Sequence, residues 1–91
     1  MIAARMRDIG AALGRLDDES RALLDLSIRR GMDDEEIAEV LRVDPDAVGR
    51  RREELLERLA ADLGLEETWQ REELLATLPD LPAELWRGSG A

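Results

Sequence analysis

The sequence predicts a small all-α bundle, and three observations carry that expectation. Apolar residues recur at helical spacing along most of the chain, and no stretch alternates in the manner of a strand. Only two aromatic residues, Trp69 and Trp86, occur in 91 residues, so the core must be built from Leu, Ile, Val, Ala and Met, the composition of a helical bundle. Two helix-start signals stand eleven residues apart: Asp33 with Glu36 reads as a capping box, and Asp44 with Pro45 as an N-cap followed by proline at the first helical position. One helix must therefore begin almost where another ends.

In chain order, Ile2, Met6, Ile9 and Leu13 form one stripe of a first helix that Gly10 weakens and Gly14 ends. Asp17 or Asp18 caps the second, whose apolar face is Leu23, Leu24, Leu26 and Ile28, and Arg29, Arg30 and Gly31 supply a basic last turn and a glycine stop. The third runs from about Asp34 to Arg42 with Ile37, Ala38, Val40 and Leu41 expected to face inward. The fourth runs from Pro45 to about Leu63 on a stripe of Val48, Leu55, Leu59 and Leu63, and Gly64 closes it with Leu65 in position for the accompanying apolar contact. Thr68 is the expected cap of a fifth helix carrying Trp69, Leu74, Leu75 and Leu78, which Pro79 stops because proline disfavours helix at the residue before it. Pro82 opens a last short turn through Trp86. Residues 1–87 are thus expected to form one domain around a helix-turn-helix core at 16–63, with the linker-like Gly88-Ser89-Gly90-Ala91 as a flexible tail.

Ninety-one residues lie near the lower limit for a core that closes without disulfides or metal. The chain has neither Cys nor His, which removes disulfides, structural zinc, thiol nucleophiles and imidazole acid–base chemistry together. Carboxylates are plentiful, but no His, Cys, Tyr or Lys stands beside them, so neither catalysis nor a cofactor is expected. Capping and helix-dipole complementarity account for the acids from Asp33 to Glu36, and Asp44-Pro45-Asp46 lacks the glycine and ligand spacing of a calcium loop; no metal is expected at either. No apolar run is long enough to span a bilayer and the first residues lack an export pattern, so a soluble cytoplasmic protein without membrane association is expected. The net charge is −9, unevenly spread: residues 17–41 carry −6 and residues 59–91 carry −5, whereas 42–58 balance to zero.

From Leu16 to about Leu63 the chain resembles region 4 of bacterial sigma-70-type factors, especially the extracytoplasmic-function group, and more distantly the DNA-binding domain of LuxR-type regulators. The residues that carry the likeness are Leu16, the Leu23/Leu24/Leu26/Ile28 helix, Gly31, Glu36-Ile37-Ala38, Leu41 and Val43, then Val48, Arg51 and Leu59. The resemblance implies a transcription-associated module whose helix 45–63 enters the major groove of promoter DNA, with duplex DNA and RNA polymerase as partners. The DNA-binding positions it implies are Asp46, Gly49, Arg50 and Glu53 toward the groove, Arg51 toward phosphate and Arg42 in the turn. A guanidinium at position 50 or 51 offers paired donors to a guanine edge or a phosphate.

This chain departs from the family pattern at three places. Position 42 is often Gly there because a left-handed backbone is easiest without a Cβ; with Arg, the same turn would carry strain of about 1 kcal/mol. Arg52 lies on the apolar stripe of the fourth helix, where it must snorkel or pair with an acid from a neighbouring helix. Glu53, Glu54 and Glu57 follow the arginine triplet and repel phosphate.

Each feature also has a plainer reading. Arg50, Glu54 and Arg58 are spaced for an i,i+4 ladder on a surface helix. Trp69 and Trp86 are expected to close the base of the core, the alternative being a partner-facing patch. The acidic balance, and the apolar width that Leu56 and Ala60 add beside the Leu55/Leu59/Leu63 stripe, support a different class of function: a protein-interaction module on the same scaffold, with homodimerisation through helix 45–63 and the C-terminal helices or docking onto a basic surface such as polymerase.

Overall fold

The computed structural model describes residues 6–86. They form helices α1 (Met6–Gly14), α2 (Asp18–Leu24, continued by a widened π turn over Asp25–Arg29), α3 (Asp34–Leu41), α4 (Pro45–Asp62), α5 (Thr68–Thr77, continued by a 3-10 turn over Leu78–Asp80) and α6 (Ala83–Trp86), with no strand among the described residues. Ile2 and the tail 88–91 lie outside the described residues. No helix among them is long and apolar enough to cross a membrane.

Local signals set the helix starts. The Asp17 side chain accepts from Ser20 N–H at 2.8 Å, and Asp44 from Asp46 N–H at 3.0 Å. At α3 the capping box closes in both directions, Glu36 N–H to Asp33 Oδ1 at 2.9 Å and Asp33 N–H to Glu36 Oε1 at 3.4 Å, which satisfies two amide donors that a bare helix start would leave orphaned. The start of α5 differs by one residue from the sequence expectation. Glu67, not Thr68, occupies the cap, its N–H donating to Gln70 Oε1 at 3.1 Å.

Three helix ends are closed by a left-handed residue, Gly31 (φ 67°), Arg42 (φ 58°) and Gly64 (φ 71°). After two of them an amide reaches back six residues inclusive, Val43 to Ala38 at 3.0 Å and Leu65 to Ala60 at 2.8 Å, the Schellman arrangement. After Gly31 the reach is one residue longer, Met32 to Leu26 at 3.0 Å, because the widened π turn precedes it. Arg42 makes the turn that glycine makes elsewhere in the chain.

A single core unites all the helices. Ile9, Leu13, Leu23, Leu24, Ile37, Val48, Leu59 and, from the C-terminal segment, Leu65, Leu74 and Leu78 are sealed from solvent. The helix pair α3–α4 packs together, α2 and α1 lie against α4, and α6 returns to cover α1. At Gly10 the Leu85 side chain packs directly on the backbone of α1, since a Cβ at this position would stand 2.7 Å from Leu85 Cδ2 and that side chain would have to shift.

Several apolar side chains depart from the sequence expectation. Val40 is 59% exposed: Ile37, Ala38 and Leu41 define the buried face of α3, and at 3.6 residues per turn Val40 falls about 100° from its centre. Of the two tryptophans, Trp86 closes the core as expected, whereas Trp69 is 50% exposed on α5. Met6 also stands in solvent, and Ala60 belongs to the core, not to a spare apolar margin. The second helix is not regular to its end. Arg30 N–H bonds Asp25 C=O at 3.0 Å across the widened turn, and the Leu78–Asp80 turn packs against that segment.

Candidate nucleic-acid interface on the helix-turn-helix

The turn between α3 and α4 is three residues long, Arg42-Val43-Asp44, so the geometry of the two helices is fixed by one left-handed residue and one cap. Arg42, Asp46 and Arg50 all stand in solvent. Neither Arg42 nor Arg50 makes an ion pair or side-chain hydrogen bond among the described residues, and the Arg50–Glu54–Arg58 ladder does not form. Arg50 shares the outer line of α4 with Asp46, Glu53 and Glu57, which recur at four, three and four residues.

The next two arginines are engaged inside the molecule. Arg51 Nη1 donates to Glu19 Oε1 at 2.6 Å, an ion pair joining α4 to the first turn of α2. Arg52 sits on the apolar stripe and forms a fork with Asp34 at the start of α3. Its Nη1 pairs with Oδ1, and its Nη2 with Oδ2 at 3.2 Å, while Nη1 also reaches Ser27 Oγ at 3.2 Å in the π turn. One guanidinium thereby ties α2, α3 and α4 together. The hydrogen-bonded fork holds the Asp34 carboxyl below the usual carboxylate range and raises the Arg52 guanidinium. Asp17 is likewise held low by hydrogen bonds from Ser20.

Gly49 does not face outward. A Cβ there would lie 3.5 Å from Asp34 Oδ2 and 3.9 Å from Arg52 Nη2, so this position points at the α3–α4 ion pair. The sequence left Arg52 either to snorkel or to pair with an acid from a neighbouring helix, and the structure shows the pairing; the sequence carried no sign that the acid would be Asp34, or that Glu19 would take Arg51, because both depend on how α2 and α3 pack.

The charge around the motif is predominantly acidic. Between Asp33 and Arg58 there are ten acids and five arginines, and Glu35, Glu36 and Glu39 occupy the exposed side of α3. No group of three or more acidic side chains among the described residues is placed to hold a metal ion. Two clefts flank α4. One, of about 310 Å³, lies toward α2 and is lined by charged groups including Asp17, Glu19, Arg51 and Arg58. The other, of about 410 Å³, lies toward α5 and is lined by the aliphatic side chains of Leu56, Leu74 and Leu75. No family model, no curated protein and no solved structure matches this chain.

Proposed function

We propose that this chain is a protein-docking module built on a helix-turn-helix scaffold, one that does not grip duplex DNA by itself. The observation that carries the reading is the disposition of the arginine triplet. Arg51 and Arg52 already hold Glu19 and Asp34, and Arg50 is left on a line of three carboxylates. Phosphate contact supplies most of the non-specific affinity of a DNA-binding domain. Here a phosphate would have to displace Glu19 from Arg51 while being repelled by Glu53, Glu54 and Glu57. Fluorescence anisotropy with labelled duplex DNA at low salt tests this: wild type and an Arg50→Ala/Arg51→Ala variant are expected to show the same negligible binding. Binding by the wild type that the variant loses would overturn the proposal.

Such binding would support a second reading, which the free guanidinium of Arg50 favours: a module resembling sigma region 4 that meets promoter DNA through α4 when RNA polymerase or another partner holds it there. In that reading Arg50 reads the groove and Arg42 contacts the backbone, and the ion pair from Arg51 to Glu19 opens on binding.

A further inference from the structure

We infer that the cleft between α4 and α5 is the surface by which two copies of this chain pair, an inference that rests on reading the chain as a docking module. The cleft has what a helix-in-groove contact needs. Leu74 forms a buried floor, Leu56 is half-buried on one wall, and Leu75 projects from the other at 43% exposure. Its rim carries unsatisfied charge of both signs. Arg71 on α5 and Glu57 on α4 line the same cleft, yet neither makes an ion pair or side-chain hydrogen bond among the described residues, so no salt bridge closes across it.

Charge complementarity selects a second copy as the occupant. A basic helix from another protein would be drawn to Glu53 and Glu57 but would meet Arg71, and an acidic helix would meet the reverse conflict. A twofold-related copy carries both signs in the order required: in an isologous contact, residue i of one protomer meets residue j of its partner and j meets i. Leu75 of each protomer then enters the cleft of the other, over Leu56 and Leu74, and each Arg71 reaches the partner's Glu57. The cation and anion left idle in the monomer are satisfied twice by one symmetry operation. The long-range force opposes this pairing, since each copy carries −9. Salt screens that repulsion more than it screens contacts enclosed by the interface, so self-association should strengthen as salt rises from the low-millimolar range to physiological strength. A basic hetero-partner would show the opposite dependence.

Sedimentation equilibrium of the full chain tests the proposal, with circular dichroism confirming that each variant keeps its helices. Wild type is expected to dimerise, Leu75→Asp to be monomeric, and Arg71→Glu to weaken the dimer about tenfold, as expected for losing two symmetric rim pairs. The charge swap Arg71→Glu/Glu57→Arg is expected to restore it. A wild type that stays monomeric at every salt concentration would overturn the pairing, as would a dimer indifferent to Leu75→Asp or a swap that fails to rescue. The DNA titration is independent of this result: a strict monomer that also ignores DNA removes the self-pairing and leaves docking to another protein standing.

Discussion

Two arginines of this chain sit beside leucines in contrasting settings. At the junction of α2, α3 and α4, Arg52 has a carboxylate fork on Asp34 and a hydroxyl on Ser27. In the cleft between α4 and α5, Arg71 has none of these among the described residues. The first region is a charge that the fold has satisfied, and removing either partner acts on stability. The second is a charge the fold has left for something else, and its removal should act on association alone. The same contrast holds for the neighbouring apolar groups: Leu74 is sealed beneath the cleft and Leu75 stands on its edge.

The largest expected effect separates those two leucines. Leu74→Ala should destabilise the fold by about 3 kcal/mol, as buried leucine truncations do, whereas Leu75→Ala should stay within about 0.5 kcal/mol; urea denaturation measures both. Equal losses would erase the distinction between floor and edge. Next in size is the arginine pair. Arg52→Ala should cost about 1–2 kcal/mol through lost charge-assisted hydrogen bonds at a half-buried site, and Arg71→Ala close to nothing.

The Asp34 pair also predicts a pH dependence. Its carboxyl is held below its ordinary value in the folded state, so its stabilising contribution is complete above the unfolded value of about 3.9 and is lost as pH falls through the lower folded value. The urea midpoint should therefore fall on acidification from about pH 5 to about pH 2, more gently in Asp34→Asn, with Asp17 supplying a share that persists in that variant. A variant whose midpoint falls as steeply as wild type would remove the Asp34–Arg52 lock from the account.

The smallest expected effect is a gain. Arg42→Gly should raise stability by about 0.5–1 kcal/mol, because a non-glycine residue at φ 58° carries left-handed strain. No change in midpoint would mean that the Arg42 side chain makes up for its backbone.

What was legible in the sequence was local, and what was missed was tertiary. The capping box at Asp33 and Glu36, the Asp44-Pro45 start and the Gly64 stop each involve groups within six residues of one another, so their chemistry can be read along the chain. Val40 was misplaced because the inward face of α3 is set by what α4 presents to it, and Trp69 because composition alone could not say which tryptophan the core would take. The π turn at Asp25–Arg29 has no local signature; it coincides with the place where the C-terminal Leu78 turn packs. Of the candidate interface, the anomaly of Arg52 on an apolar stripe was visible, while the choice of pairing over snorkelling, the identity of Asp34, the inward aim of Gly49 and the idle Arg71–Glu57 rim all required the packed structure.

Amide chemical-shift mapping of the full chain, run once as a dilution series and once with duplex DNA at low salt, tests the central claim most directly. The account predicts concentration-dependent shifts gathered at Leu56, Glu57, Arg71 and Leu75, and none along α4's outer line on adding DNA. DNA-induced shifts centred on Arg42, Asp46 and Arg50, with a cleft silent to concentration, would contradict it.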